Sequence, residues 1–175
     1  GAIGEYAQSR LGGERVASYA ARVQGTRLLI VRLFYATELR YGIIHDIAWK
    51  VWTKEPIDLT MGYVNQLWQG DANAYLCRFF PLCESPAAVI NLTGPEILAV
   101  RGLAEELGRM MDREPRFVGT EAADALLGDT RRLGAEFGAP AIGSEQMVRW
   151  VAEWVMADGY SLGKPTKYES RSGQF

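Results

Sequence analysis

Histidine and cysteine are scarce in this chain. Its 175 residues include one histidine, His45, and two cysteines, Cys77 and Cys83. The cysteines stand six apart around Pro81 and form no CxxC pair, so neither a zinc site nor a disulfide framework organises the fold. Both read as small apolar core groups. A Cys–His nucleophile would have to use His45, which reads as a surface or half-buried helix residue. Neither charge sign dominates: 19 basic against 21 acidic residues leave a net charge of −2, with no basic stripe. This argues against nucleic acid as a partner. No apolar run approaches the roughly 18 residues of a membrane span. The first residues lack a charged-then-apolar leader pattern. The expected setting is the cytoplasm, without a membrane partner.

Ordinary globular material is present: 48% hydrophobic and 23% charged residues, enough for a core in one domain or a large part of one. The N-terminal stretch YAQSRLGG, from Tyr6 to Gly13, begins a proline-free segment. Leu11, Val16, Tyr19, Ala20 and Val23 recur there, and the last four keep a helical period, predicting an amphipathic helix over 7–24 that ends at Gly25. Tyr6 and Arg10 then share one helix face, a turn apart. A fixed cation at that distance favours the phenolate and makes the phenol a usable acid/base. Arg10 has a plainer alternative, an i,i+4 pair with Glu14.

Residues 26–35 form an apolar, β-rich run without clean alternation, as in a parallel strand buried on both faces. Residues 36–42 read as a loop at the strand's C-terminal edge, where open α/β sheets bind ligands. A helix over 43–53 turns Ile44, Ile47, Ala48 and Val51 inward. Short strands are expected at 57–60 and 63–68. Asp71 is placed to cap a helix over 72–80. A strand at 87–92 leads into Thr93-Gly94-Pro95-Glu96, which reads as a capping box. The helix it would start, 97–111, carries Leu98, Leu103, Leu107 and Met110/Met111 inward. A strand at 117–119 and short helices at 121–127 and 130–137 follow. Ser144 is placed to cap a helix over 145–156, with Met147, Trp150, Val151, Trp154 and Val155 as its core stripe. The tail from Ala157 has no period and reads as extended or mobile.

In this order the chain resembles the C-terminal half of an extended short-chain dehydrogenase/reductase, the NAD-dependent epimerase/dehydratase family. Tyr6-Ala7-Gln8-Ser9-Arg10 is similar to that family's Tyr-x-x-x-Lys helix. Arg32-Leu33-Phe34-Tyr35-Ala36 stands at its Arg-x-Phe-Asn-Val strand end, and 64–74 at its His-Val-Asp-Asp-Val-Ala segment. Asn91-Leu92-Thr93-Gly94 resembles its Asn-x-Gly turn. Asp129-Thr130-Arg131-Arg132, Phe137-Gly138-Ala139-Pro140 and the helix to Trp150 resemble its closing motifs.

The resemblance implies an α/β fold. Residues 1–42 would be the end of a Rossmann-type parallel sheet, 43–157 a smaller substrate-binding lobe with some return to the sheet, and 158–175 a tail. It implies NAD or NADP as cofactor and a hydroxyl or carbonyl substrate, with a nucleotide sugar as one candidate. Tyr6 would be the acid/base and Arg10 would hold the lysine position, both touching the cofactor. Tyr35, Asn65 and Trp68 would lie near substrate. It also implies a homodimer through the helix after the tyrosine.

The sequence departs from the family at three points. The glycine-rich βαβ turn is absent, so this chain is expected to be a fragment, inactive alone, lacking an N-terminal nucleotide-binding half on the order of 130–150 residues. Arg10 replaces lysine, and its planar fork differs from a compact ammonium. Tyr35 stands where asparagine is usual. Two alternatives therefore stay open: a non-catalytic ligand-binding or dinucleotide-binding relative, and a dimerising interaction domain.

Overall fold

The computed structural model describes residues 4–171. Residues 1–3 and 172–175, at the outer ends of the first and last expected segments, lie outside the described residues. Helix α1, Gly4–Gln24, comes first and starts one turn earlier than its apolar period indicates. It is followed by β1, Leu29–Leu33, and β2, Tyr35–Thr37. One extended chain thus changes neighbours at Phe34. β1 runs parallel to β6, Ala88–Leu92, with Val31 opposite Ile90. β2 runs parallel to β5, Gln66–Trp68, with Tyr35 opposite Gln66 and Thr37 opposite Trp68. The parallel arrangement agrees with the sequence expectation, whereas burial on both faces does not. Arg32 and Leu33 are exposed, because β1 has only β6 beside it among the described residues.

Helix α2, Ile43–Thr53, is the centre of the main core. Ile43, Ile44, Ile47, Ala48 and Val51 are fully buried, each large one contributing about 1.5–3 kcal/mol of apolar burial. It packs against α4, Val100–Met111, and α6, Ser144–Met156. The inward residues of these partners are Leu103, Leu107, Met111, Met147, Val151 and Val155. β3, Pro56–Asp58, pairs in parallel with β8, Arg116–Val118, at this core's edge. A second core lies under the strands. There α3, Gln69–Arg78, and α5, Arg131–Phe137, bring Tyr75, Phe79 and Leu133 against Ile90 and Leu92.

Several local expectations are corrected. The strand expected at 63–68 is broken at Asn65 into β4, Tyr63–Val64, and β5. β4 pairs antiparallel with β7, Leu98–Ala99, so α4 begins at Val100 and Ile97 lies outside it, 60% exposed. Met110 is exposed rather than inward.

No capping box forms at 93–96. Thr93 Oγ1 donates to the Asn65 carbonyl at 3.0 Å, and Glu96 accepts from the Ser144 hydroxyl. Ser144 therefore caps nothing, and Gly143 takes the N-cap of α6. Asp71 sits inside α3, where its carboxylate accepts the Ile142 N–H at 2.9 Å. These four polar side chains are spent on tertiary contacts that a local motif cannot reveal.

Residues 121–127 are irregular, not helical. Their bonds run outward, with the Leu126 N–H on Met61 Sδ and Glu121 on Arg101 at 3.0 Å. A seven-residue helix has too little cohesion to displace such contacts. Cys77 is exposed and Cys83 half-buried, so neither belongs to the core. His45 is 3% exposed, deeper than its sequence position indicated. Trp150 and Trp154 only border the core, half-buried at its edge. α1 has no buried residue: Val16, Tyr19 and Val23 are 62–69% exposed, so its apolar stripe faces outward. The tail is extended and irregular yet docked, with Tyr168 inside the main core.

Candidate functional site

Two groups of expected site residues occupy different elements. Tyr6 and Arg10 lie on α1, both exposed, Tyr6 by 58%. The plainer pairing of Arg10 with Glu14 is displaced. Arg32, from β1, grips the Glu14 carboxylate with Nε and a terminal nitrogen at 2.8 and 2.7 Å. That hydrogen bond holds the Glu14 carboxyl below its ordinary range, and Arg10 adds a weaker pull. Glu14 thus ties α1 to β1 and leaves Arg10 on the surface beside Tyr6.

Tyr35 and Asn65 stand at the N-terminal ends of β2 and β5, with Tyr35 opposite Gln66, whereas Trp68 ends β5 opposite Thr37. Tyr35 is half-buried. Burial pushes its phenol above the ordinary tyrosine value, and the Glu169 carboxylate adds to the shift. It therefore presents a protonated hydroxyl at neutral pH. Trp68 precedes α3 and meets Trp150 edge to face at 5.3 Å. A Cβ on Gly70 would come within 2.9 Å of the Trp68 ring, so glycine there is what lets the indole lie over the start of α3.

Asn65 is buried and saturated. Its Nδ2 donates to the carbonyls of Gly94 and Gly128 at 3.2 and 2.8 Å, and its Oδ1 accepts the Gly128 N–H at 3.0 Å. It holds two loops at the strand ends rather than reaching outward. Gly94 is forced by this closeness: a Cβ there would lie 1.9 Å from the Gln66 carbonyl oxygen.

Sequence reading missed the polar residues under this edge. Thr37 donates to Gln66 Oε1, both side chains are at most 3% exposed, and Gln66 Nε2 has no partner among the described residues. His45 Nε2 lies 2.9 Å from Ser161 Oγ, and Asp46 accepts both the N–H and the hydroxyl of Thr166. Burial lowers the His45 pKa, and burial raises that of Asp46 despite the Thr166 bonds. The available signal was polar residues placed inside apolar segments, at Thr37, His45 and Gln66. Among the described residues no group of three or more His, Cys, Asp or Glu is arranged to hold a metal, and no helix is long and apolar enough to cross a membrane.

No family model matches the chain, and no curated protein matches it in sequence. Solved structures do match. RMD from Pseudomonas aeruginosa, complexed with NADPH, is 20% identical with a TM-score of 0.69, over 87% of this chain and 55% of its own. A UDP-galactose 4-epimerase is 20% identical with a TM-score of 0.64, over 87% and 53%. UDP-glucuronic acid 4-epimerase from Bacillus cereus, in complex with NAD, is 12% identical with a TM-score of 0.69, over 86% and 50%. The chain spans about half the length of each of these structures.

It has the fold of the C-terminal half of an extended short-chain dehydrogenase/reductase. Identity this low establishes the fold and leaves activity to be argued from the side chains.

Proposed function

We propose that this chain is the substrate-lobe part of an NAD(P)-dependent oxidoreductase or epimerase/dehydratase whose nucleotide-binding half lies outside the 175 residues. The substrate class is a hydroxyl or carbonyl compound, best represented by a nucleotide sugar. Residues 1–42 would close the sheet, 43–157 would form the lobe with some return to the sheet at β6, and 158–175 would be the tail. Soluble enzymes of this kind with free thiols suit the cytoplasm.

The observation that carries the reading is the exposed Tyr6–Arg10 pair, one turn apart on a helix that buries nothing. These residues fit the nicotinamide-ribose end of a dinucleotide, since both are open to a ligand and carry a phenol and a fixed cation. When bound, that cofactor would supply hydride exchange. Tyr6 would give or take the proton of the substrate hydroxyl, and Arg10 would hold the ribose side and favour the phenolate. The Tyr35 hydroxyl and the Trp68 indole would orient substrate, and Asn65 would act by fixing the loops at Gly94 and Gly128.

The test is turnover of a UDP-sugar with NAD(P) by the native-length protein. Tyr6→Phe should lower kcat by about 10²–10⁴-fold, the range of a positioned acid/base. Undiminished turnover in that variant would overturn the catalytic assignment.

One observation favours a second reading. The planar guanidinium at position 10 does not reproduce an ammonium's contacts, which suits a relative that binds dinucleotide or ligand without chemistry. Arg10→Lys raising turnover would favour the catalytic scaffold, whereas binding without turnover in both forms would favour the second reading. The outward stripe Val16, Tyr19 and Val23 on α1 suits a helix-to-helix homodimer. A strictly monomeric native-length protein across concentrations would count against it.

A further inference from the structure

Residues 157–171 contain no helix or strand, yet they are tied down along their length. Trp154 Nε1 donates to the Tyr160 carbonyl at 3.1 Å. The Leu162 N–H donates to the Arg40 carbonyl at 3.1 Å. Ser161 Oγ meets His45 Nε2 at 2.9 Å. The Thr166 N–H and hydroxyl reach Asp46 Oδ2 at 2.7 and 2.6 Å. Tyr168 is 2% exposed and closes the segment into the main core.

These ties are not scattered. The Leu162, Ser161 and Thr166 contacts end on the 38–42 loop or on the first turn of α2, which leaves that loop at Gly42. The loop itself is a tight hairpin, with Glu38 and Tyr41 exchanging backbone hydrogen bonds at 2.9 and 3.4 Å. It hangs from the C-terminal end of β2, directly after Thr37, which stands opposite Trp68 at the end of β5. His45 stands between the two segments. Its Nε2 faces Ser161, and among the described residues its buried Nδ1 makes no full hydrogen bond, although the Leu39 backbone acts on the ring. Glu169, later in the same segment, is close enough to act electrostatically on Tyr35.

We propose that residues 160–171 are a positioning strap that sets the conformation of the 38–42 loop, with His45 and Ser161 as positioning residues. The strap would thereby shape the substrate end of β2. The proposal rests on the reading of the β2 and β5 strand ends as a substrate site. Residues that only filled space over α2 would not need to bond the loop backbone and the first turn of the helix together.

The experiment is residue-resolved amide hydrogen exchange on the native-length protein, comparing wild type with Ser161→Ala and Ser161→Thr. Loss of one such hydrogen bond should speed exchange by about five-fold. The expected result is that acceleration at Glu38, Tyr41 and Leu162 in S161A, unchanged exchange in α4 and α6, and wild-type rates in S161T, which keeps the hydroxyl. Unchanged loop exchange in S161A would overturn the proposal. So would equal acceleration in α4 and α6, which would mark a general loss of stability. The rates require neither cofactor nor substrate, so failure of the catalytic reading would leave this result interpretable.

Discussion

Asn65 and Gly128 bind each other as two peptide groups do. The side-chain amide donates to the Gly128 carbonyl at 2.8 Å and accepts the Gly128 N–H at 3.0 Å. A spare Nδ2 hydrogen goes to Gly94. The strand break between β4 and β5 is what frees Asn65 for this role.

Asn65→Ala should therefore be strongly destabilising. It would leave buried backbone groups of Gly94 and Gly128 without partners, at about 1–3 kcal/mol for each orphaned group. With three such groups the expected total is at least about 3 kcal/mol, read as a lower midpoint in urea with an unchanged slope.

Glycine substitutions should separate two kinds of site. At Gly94 an added methyl meets a backbone oxygen at 1.9 Å, so Gly94→Ala should cost several times the ~1 kcal/mol typical of point variants. At Gly134, inside α5, nothing lies within 4 Å of the added Cβ. Gly134→Ala should stabilise by about 0.5–1 kcal/mol through helix propensity. Thermal unfolding of both variants, measured side by side, checks the contrast.

Acid should weaken the fold through His45. Its folded-state pKa lies below the ordinary 6.5 because burial disfavours the charged ring. Between that lowered value and 6.5 the unfolded chain binds the extra proton, so stability rises with pH across the window and is lost as pH falls below 6.5. Asp46 has the opposite sign at lower pH, where its raised pKa makes the folded state hold the proton longer. Urea unfolding at pH 7.5 and 5.5 should show the loss in wild type. His45→Gln, which keeps a nitrogen toward Ser161, should flatten it.

The bridge between Glu14 and Arg32 should matter locally and little overall. Arg32 is half-exposed, and surface pairs contribute about 0–1 kcal/mol. Arg32→Ala should shift the unfolding midpoint slightly while making amides of α1 exchange faster. Raising salt should mimic the variant in wild type.

How much of this was legible in the sequence depended on where each residue finds its partners. α2 declared itself because Ile44, Ile47, Ala48 and Val51 keep one period and all reach the core. Tyr35 and Trp68 belong to β2 and β5, strands that pair although others lie between them in the chain, and no local period announces such a pairing. Equally hidden was polar chemistry across long separations. Thr93 and Ser144 carry the residue types of helix caps, yet each bonds a group 28 and 48 residues away. Residues 121–127 have helical composition, and their tertiary bonds outweigh it. The α1 stripe was visible as a period, but a period does not say whether the face it marks is covered.

The pairing of β1 with β6 carries a consequence for synthesis. Leu29 pairs with Ala88, so during translation the β1–β6 ladder closes only once residue 88 has emerged. The buried face of α2 waits longer still, because its partners α4 and α6 follow β6 in the chain. Its isoleucines, fully buried in the finished fold, are the surface most open to wrong partners in that interval.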